Sequence, residues 1–396
     1  MRYDFSDKIS TLKPSAIREI FKVLENPDII SFAGGNPDPE TFPSREMSII
    51  AKRLFDENAA ASLQYGITEG YMPLRTLTAE RLKEKYSVGT EDDSLIITSG
   101  GQQAIDLMTK VMVNEGDVVL CENPSFIGAL NAFRSFNARL VGVRSDDGGM
   151  DLDALEHTLK TTKNVKFIYV IPTFQNPSGR TLSLSRRKAL LSLSSKYGVM
   201  ILEDNPYFEL RYSGEYVPPI KSLDTEGLVL YAGSYSKILS PGMRVGFALG
   251  PKPVIDKMVV AKQVSDVHTN QFFCMLVAEY LKTCDLDGHI EEIRSLYRQK
   301  RDLMLSEIDR LFDPRVRRTS PDGGLFLWCE LPEGADGLKL CGMLSEKKVA
   351  AVPGSAFMVD ENAPCPALRL NFSMPSAAQI KKGVALMSEA IHEYLK

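Results

Sequence analysis

One stretch of the chain, residues 233–246, contains residue types suited to covalent chemistry with an aldehyde. It places Lys237 beside Ser234 and Ser236, and Arg244 follows seven residues after the lysine. A lysine amine that has lost its proton can attack an aldehyde and form a Schiff base. Hydroxyls and a guanidinium bind phosphate, the guanidinium through two parallel hydrogen bonds. Pyridoxal phosphate (PLP) carries both an aldehyde and a phosphate, so the stretch predicts a PLP site if other segments supply the remaining contacts.

A second predicted phosphate-binding element lies where a glycine pair follows a strand. Ser94–Thr98 has the apolar, β-branched pattern of a buried strand, Gly100 and Gly101 follow it closely, and Ala104–Val113 has helical spacing. Strand, glycine turn and helix in this order direct backbone N–H groups and the positive end of a helix dipole towards an anion. An ordinary strand–helix turn is the alternative interpretation.

Polar residues also follow several other predicted strands. These strands are Asp117–Cys121, Arg139–Val143, Val165–Ile171, Val199–Leu202, Leu228–Tyr231 and Val245–Leu249, the last of which fits a strand running in the opposite direction. In a mostly parallel sheet the carboxyl ends of the strands share one edge, and ligands bind there. We therefore expect the polar residues to meet at that edge.

Three of these strand ends carry residues that suit a pyridine ring. Asp204 is a carboxylate that would be costly to bury unless it pairs with a cation, and a protonated pyridine nitrogen is such a cation. Tyr207 and Asn176 can hydrogen-bond the phenolic oxygen of the ring, and Phe126 can stack on its face. Each residue also has an ordinary explanation as an N-cap, turn or core residue. Their occurrence together at successive strand ends favours a cofactor site.

With these segments in place, the chain resembles the fold-type I PLP-dependent aminotransferases of class I and II, and within them the branch containing 2-aminoadipate and kynurenine aminotransferases. The matching segments are Leu63–Gly66, Thr98–Gln103, Glu122–Phe126, Pro172–Gly179, Glu203–Tyr207, Gly233–Lys237 and Arg369–Ser373. The resemblance covers essentially the whole chain. It implies an α/β fold with a mostly parallel sheet between helices, and a smaller α+β C-terminal domain. It also implies transfer of the amino group of a 2-aminoadipate, aromatic, branched-chain or glutamate-type L-amino acid to a 2-oxo acid such as 2-oxoglutarate.

The resemblance implies a role in cofactor binding for each matching residue. Lys237 forms the Schiff base with PLP and, once freed, moves the proton between substrate and cofactor. Asp204 pairs with the ring nitrogen, while Asn176 and Tyr207 contact the phenolic oxygen. Phe126 stands where relatives often carry tyrosine, so ring stacking is expected without a hydroxyl contact. The residues expected to hold the phosphate are Gly101, Gln102, Ser234, Ser236 and Arg244.

The resemblance also implies contacts with the substrate and with a second subunit. Arg369 is expected to bind the substrate α-carboxylate through two hydrogen bonds, a task that lysine performs poorly. Gly35 and Asn176 are expected to line the substrate space. Tyr65 is expected to reach the phosphate in the partner subunit of a homodimer. The preferred amino donor is not predicted, and Arg18 fits either an acidic substrate side chain or a solvated helix charge.

Composition argues against nucleic-acid and membrane partners. The chain has 47 Lys and Arg against 51 Asp and Glu, interspersed along its length, whereas a nucleic-acid surface needs a clustered basic field. No run is apolar enough to span a bilayer, and residues 1–10 lack a signal-peptide core, so a cytoplasmic location is expected. The six cysteines form no C-x-x-C pair and the four histidines are scattered, which predicts free thiols and no metal site.

We expect three parts in the chain: an N-terminal arm (1–44) that packs with the small domain, a large PLP-binding domain (45–287) and a small C-terminal domain (288–396). Further predicted elements are helices at Ser15–Glu25, Arg45–Asn58, Pro253–His268 and Gly288–Phe312 and a strand at Val349–Val352. Two alternative functions stay open. A PLP-dependent lyase, decarboxylase or racemase shares the lysine, aspartate and phosphate elements. A non-catalytic PLP-binding regulatory domain is more remote, because such regulators carry a winged-helix module ahead of this domain.

Overall fold

The computed structural model describes residues 3–10, 12 and 28–396. The predicted helix Ser15–Glu25, and with it Arg18, lies outside the described residues. In chain order the strands are β1 (Ile30–Ser31), β2 (Asp93–Thr98), β3 (Val118–Asn123), β4 (Arg139–Asp146), β5 (Gly149–Met150), β6 (Val165–Val170), β7 (Met200–Asp204), β8 (Val229–Ser234), β9 (Gly246–Pro251), β10 (Arg317–Arg318), β11 (Phe326–Glu330), β12 (Val349–Ala350), β13 (Val352–Pro353) and β14 (Ala367–Asn371). The α-helices are Asp7–Ser10, Ser44–Leu63, Met72–Tyr86, Gly101–Met112, Ile127–Arg134, Leu152–Thr161, Leu184–Tyr197, Lys252–Gln263, Gln271–Thr283, Leu286–Leu311, Gly337–Glu346 and Ala377–Tyr394.

The central sheet has eight strands within the described residues, in the order β2-β9-β8-β7-β6-β3-β4-β5. Strands β8, β7, β6, β3 and β4 run parallel to one another, and β9 runs antiparallel to both β2 and β8. The predicted α/β fold with a mostly parallel sheet is confirmed, as is the reversed direction of the strand predicted at Val245–Leu249. The parallel strands therefore end at one common edge.

Both faces of the sheet are covered, which explains why its inner strands are apolar without alternation. Successive residues of a strand point to opposite faces. Tyr169 and Leu202 belong to a buried cluster that includes residues of the helix Gly101–Met112. Their neighbours Ile168 and Ile201 belong to a second cluster that includes residues of the helix Leu184–Tyr197. Buried positions on both sides leave polar groups only at the strand ends.

A smaller antiparallel sheet, in the order β10-β11-β14-β13, lies in the C-terminal part. Next to it, β1 pairs in parallel with β12, which ties residues 30 and 31 to the C-terminal part of the chain. This pairing supports the expected contact between the arm and the small domain, while the division at residues 44 and 287 stays a prediction. The single strand predicted at Val349–Val352 is wrong, because β12 hydrogen-bonds β1 whereas β13 hydrogen-bonds β14.

Two predicted helix boundaries are also wrong. The helix that begins at Ser44 continues to Leu63, although Asn58 has non-helical angles (φ −137°, ψ 30°) at the point where the prediction ended it. The helix predicted to reach His268 ends at Gln263 and is followed by a turn in which Val267 has a φ of 67°. In the first case the prediction stopped at a local irregularity inside a longer helix, and in the second it ran past the end of the helix into the turn.

Three further observations bear on the function classes considered. No helix among the described residues is long and apolar enough to cross a membrane. The same part of the chain holds no cluster of His, Cys, Asp and Glu suited to a metal ion. All six cysteines are free thiols, as predicted.

Candidate active site

The carboxyl ends of β3, β6, β7 and β8 border a cavity of about 330 Å³. The predicted residues that line it are Gly35, Gly101, Gln102, Phe126, Asn176, Asp204, Tyr207, Ser234, Ser236, Lys237, Arg244 and Arg369. Of the residues predicted for the site, only Tyr65 does not line this cavity. The cavity also contains apolar side chains that were not singled out, namely Ile105, Ile171, Pro206, Pro241 and Phe326.

Lys237 ends a single 3₁₀ turn, Tyr235–Lys237, directly after β8. The Ser234 hydroxyl accepts from the backbone N–H of Ser236 (3.1 Å) and starts this turn. The Lys237 ammonium Nζ donates to the carbonyl oxygen of Gly35 at 2.9 Å. Burial, and then the charges of Arg244 and Arg369, lower the pKa of Lys237 to about 8. The neutral amine that a nucleophile or base requires is therefore accessible close to neutral pH.

Asp204 is the last residue of β7, and its side chain is buried. The hydroxyl of Tyr169 donates to Asp204 Oδ2 at 2.7 Å. No basic side chain of the described residues forms an ion pair with Asp204. Burial raises the pKa of Asp204 to about 6, against the smaller opposing effect of the Tyr169 hydrogen bond. A buried carboxylate without a cation is unfavourable, so the site suits a ligand that brings positive charge.

Arg369, on β14, is a buried cation without an anionic partner among the described residues, whereas Asp204 is a buried anion without a cationic one. Its guanidinium is buried and donates to Asn176 Oδ1 (3.0 Å) and to the carbonyl oxygen of Ala33 (2.5 Å). Its Nε has no hydrogen-bond partner, and no carboxylate of the described part pairs with it. Burial lowers the pKa of Arg369 to about 10. Phe326 and Phe357 lie under its charged group, with ring centroids at 4.3 and 4.8 Å. A carboxylate-bearing ligand would complete these contacts.

Tyr207 lines the same cavity and feels the charges of both Arg369 and Asp204. Burial raises the pKa of its hydroxyl, and the positive charge of Arg369 opposes that effect. Asn176, which accepts from Arg369, is close enough to this hydroxyl to oppose the rise in its pKa. The ring of Tyr207 packs edge-on against Phe326, with centroids 5.8 Å apart. Hydroxyl and amide groups thus meet in one part of the cavity, as predicted from the strand ends.

The predicted anion-binding turn lies at the start of the helix Gly101–Met112. Gly100 precedes this helix with a φ of 82°, a conformation that favours glycine. Arg244 contacts the same turn, since its Nη2 donates to the carbonyl oxygen of Ser99 at 3.1 Å. A Cβ on Gly246 would lie 2.6 Å from the backbone of Gly100, which explains the glycine that follows Arg244 by two residues. The helix N-terminus and Arg244 together favour an anion here.

Tyr65 is 82% exposed and lies outside the cavity of its own chain. Its ring packs edge-on against His268, with centroids 5.7 Å apart. Exposed apolar side chains lie close in sequence to Tyr65 or to His268: Leu63, Ile67, Met72, Val264 and Val267. This placement leaves the predicted contact with a partner subunit sterically possible.

Sequence reasoning missed Tyr169, Phe326 and Phe357. Tyr169 has the spacing of an ordinary core residue within β6, and only the register between β6 and β7 brings it to Asp204. The two phenylalanines belong to the C-terminal part, and their contact with Arg369 arises from tertiary packing. The glycine pair Gly323–Gly324, just before Phe326, is the one sequence feature that indicates a close contact of this segment. A Cβ on Gly323 would lie 2.2 Å from the carbonyl oxygen of Leu210.

Comparison with known proteins gives consistent matches over the whole chain. A family model described as "Aminotransferase class I and II" matches residues 27–386. The chain is 43% identical to aromatic-amino-acid aminotransferase 1 of Thermococcus litoralis, over 99% of this chain and 95% of that protein. It is 40% identical to 2-aminoadipate transaminase of Thermus thermophilus, over 98% and 96%. The crystal structure of kynurenine aminotransferase from Pyrococcus horikoshii, in complex with PMP, superposes with a TM-score of 0.95 at 41% identity, covering 99% of this chain and 98% of that one.

Proposed function

Since the chain belongs to the class I and II aminotransferase family, we propose that it moves the amino group of aromatic and 2-aminoadipate-type L-amino acids to a 2-oxo acid such as 2-oxoglutarate. That it is a PLP-dependent aminotransferase follows from family membership. The identity of donor and acceptor, and the role of each residue, are what we propose. Glutamate-type and branched-chain donors remain within the range that the sequence suggests.

The observation that carries this proposal is a pair of unmatched charges, Asp204 and Arg369, in the cavity that Lys237 also lines. Asp204 is a buried carboxylate without a cation, and Arg369 is a buried guanidinium without a carboxylate. An amino acid substrate and a pyridinium ring together supply what both residues lack. Lys237 lines the same cavity with a pKa of about 8.

The residues present fit PLP, judged by the cavity itself. Asp204 suits a protonated ring nitrogen because burial and the lack of a cation make the charge of its carboxylate unfavourable. Gly101, at the helix N-terminus, and Arg244 suit the phosphate, together with the hydroxyls of Ser234 and Ser236. Phe126 lines the cavity and suits a contact with the ring face. When bound, PLP withdraws electrons from the bonds at the substrate α-carbon.

The chain's own residues then have separable tasks. Arg369 holds the substrate α-carboxylate and thereby orients the bonds at the α-carbon. Lys237, neutral for part of the time near pH 8, takes a proton from the α-carbon and returns one at the cofactor side. Tyr207 and Asn176 donate hydrogen bonds to an oxygen of the ring. The apolar wall formed by Ile171 and Phe326 excludes water from the reacting atoms.

Two features support an aromatic or long-chain donor. Apolar side chains make up much of the cavity wall outside the charged groups: Ile105, Phe126, Ile171, Pro206, Pro241 and Phe326. Relatives that match almost the full chain are named for aromatic amino acids, 2-aminoadipate and kynurenine. Such a wall accepts an aromatic ring or a methylene chain without leaving polar groups unpaired.

We further propose a homodimer in which Tyr65 completes the partner's phosphate site. Tyr65 is exposed, and so are the apolar side chains of Leu63 and Ile67 beside it in the sequence. Exposed apolar side chains close together are typical of a protein–protein interface. Sedimentation velocity of the purified protein is expected to give twice the chain mass. A monomer that retains full activity would contradict this part of the proposal.

The proposed activity is tested with a panel of amino donors and 2-oxoglutarate, measuring formation of glutamate. We expect phenylalanine, tyrosine, kynurenine and 2-aminoadipate to be used, and Lys237→Ala to abolish both turnover and the visible absorbance of bound PLP. Consumption of a donor without any 2-oxo acid, with release of ammonia or carbon dioxide, would instead indicate the lyase or decarboxylase alternative. Turnover by Lys237→Ala equal to that of the unmodified enzyme would contradict the assignment.

A further inference from the structure

A fully buried lysine, Lys262, lies in the last turn of the helix Lys252–Gln263 and does not line the cavity. Its ammonium donates to both carboxylate oxygens of Asp266 (2.8 Å each) and to Gln103 Oε1 (2.7 Å). Burial lowers the pKa of Lys262, against the opposing effect of Asp266. A buried ammonium is strongly unfavourable without such partners, so the three side chains form one interdependent group.

This group holds the two ends of the anion-binding turn. Gln103 Oε1 accepts from the backbone N–H of Ser99 at 2.8 Å. Asp266 Oδ2 accepts from Gln103 Nε2 at 2.7 Å and from the Ser99 hydroxyl at 3.1 Å. Ser99 and Gln103 flank the start of the helix, where the Gly100 N–H donates to the Thr98 carbonyl at 2.8 Å and the N–H groups of Gly101 and Gln102 lie at the helix N-terminus. The orientation of those N–H groups therefore depends on residues that do not contact the cavity.

The loop that carries Asp266 adopts a conformation that is unusual for its sequence. Val267 has a φ of 67°, in the left-handed region that a β-branched residue rarely adopts. Backbone bonds hold the loop in place: the N–H groups of Asp266 and Val267 donate to the Lys262 carbonyl at 3.0 and 3.2 Å. A costly conformation that directs a carboxylate at Ser99 and Gln103 is consistent with a functional requirement for that contact.

We propose that Lys262 and Asp266 are positioning residues for the cofactor phosphate: they fix the turn Ser99–Gln103 so that the N–H groups of Gly101 and Gln102 face the anion. The proposal rests on the proposed role of Gly101 and Gln102 in phosphate binding. Neither residue touches the cofactor, so their effect is on affinity for the phosphate group and not on chemistry at the ring. Removing either side chain removes hydrogen bonds that hold the turn: Lys262 donates to Gln103, and Asp266 accepts from Gln103 and Ser99.

Geometry and charge make opposite predictions for Asp266, which gives a sharp test. If Lys262 and Asp266 acted only through their charges, Lys262→Met would weaken phosphate binding and Asp266→Ala would strengthen it, because the positive charge of Lys262 would then lack its counter-ion. If they position the turn, both substitutions weaken binding. We expect about tenfold weaker PLP binding in each variant, the usual loss when a partner behind a binding group is removed.

The experiment measures dissociation constants of PLP and of pyridoxal, which lacks the phosphate, on cofactor-stripped protein by absorbance titration. Only PLP binding is expected to weaken. The same helix supplies a matched control, since Lys252 and Asp256 also form a 2.8 Å i,i+4 pair but are 66% and 56% exposed. Lys252→Met and Asp256→Ala are expected to bind both compounds as the unmodified protein does.

Each other outcome overturns the proposal. Equal weakening for PLP and pyridoxal would indicate general loss of structure, and opposite effects of the two substitutions would indicate charge alone. Unchanged binding in both variants would show that the turn needs no such support. The Asp266 side chain is 31% exposed, so Asp266→Ala is expected to fold even if Lys262→Met does not. In that case the test rests on whether Asp266→Ala weakens or strengthens PLP binding. Failure of the unmodified protein to bind PLP would contradict the proposed function itself.

Discussion

Replacing Asp204 by asparagine is expected to stabilise the cofactor-free protein while abolishing transamination. The carboxylate is buried at the end of β7, and within the described part of the chain only the Tyr169 hydroxyl hydrogen-bonds it, at 2.7 Å. Asparagine has nearly the same shape and can still accept from Tyr169. The substitution therefore removes an unfavourable buried charge without opening a cavity.

The magnitude follows from the raised pKa. Burial moves the pKa of Asp204 from 3.8 to about 6, which corresponds to about 3 kcal/mol of unfavourable free energy for the ionised form. The folded state binds the proton more tightly than the unfolded state, so this stability is present below pH 4 and is lost as pH rises through 6. Asp204→Asn should therefore exceed the unmodified protein in stability by about 3 kcal/mol above pH 7, and the difference should vanish near pH 4.

The assay is thermal unfolding of both proteins, stripped of cofactor and PLP-loaded, between pH 4 and pH 8. Addition of PLP should reverse the order, because the ring nitrogen offsets the charge of Asp204 only in the unmodified enzyme. Asp224→Asn is the contrasting control: this buried carboxylate pairs with Lys221 at 3.0 Å and accepts from the N–H groups of Leu228 and Val229. These partners lower its pKa although burial opposes them, so its replacement should destabilise. Equal or lower stability of cofactor-free Asp204→Asn at pH 8, or retained transamination, would refute the reasoning.

Three further predictions concern the other charged and exposed residues. The rate at which cofactor-free protein captures PLP should reach half its maximum near pH 8, the pKa of Lys237, and a half-maximum near the ordinary lysine value of 10.5 would contradict it. Arg369→Met should move that half-maximum to higher pH, because the charge of Arg369 lowers the pKa of Lys237. Both Arg369→Met and Arg369→Lys should lower kcat/KM by about 100-fold or more, because each loses the two-point contact with the substrate carboxylate. An unchanged kcat/KM would contradict this role. Tyr65→Phe should weaken PLP binding. Mixing this variant with Lys237→Ala should give hybrid dimers with measurable activity, because one site then combines Lys237 of one chain with Tyr65 of the other. If mixing restores no activity, the sites are not shared between subunits.

Much of the site was accessible from the sequence because parallel strands end at one edge. Asn176, Asp204 and Lys237 follow three apolar strands, and their residue types suggest a ring and an imine-forming amine before any coordinates are known. The order of strands in the sheet does not follow from these local patterns. The three residues meet because β6, β7 and β8 are neighbours in the sheet.

The remaining features depend on contacts between distant segments. Tyr169 reaches Asp204 through the register of β6 and β7, and Arg369 is unpaired only because the small sheet buries it against Phe326 and Phe357. The group around Lys262 was missed for a similar reason. A lysine in an amphipathic helix is normally solvated, and nothing local shows that this one is covered by the loop that follows.

The central claim is that Lys237 carries the cofactor, and reductive trapping tests it most directly. PLP-loaded protein is treated with borohydride, digested and analysed by peptide mass spectrometry. We predict a phosphopyridoxyl label on the peptide that contains Lys237 and loss of that label in Lys237→Ala. A label on a different lysine, or none on a protein saturated with PLP, would contradict the account.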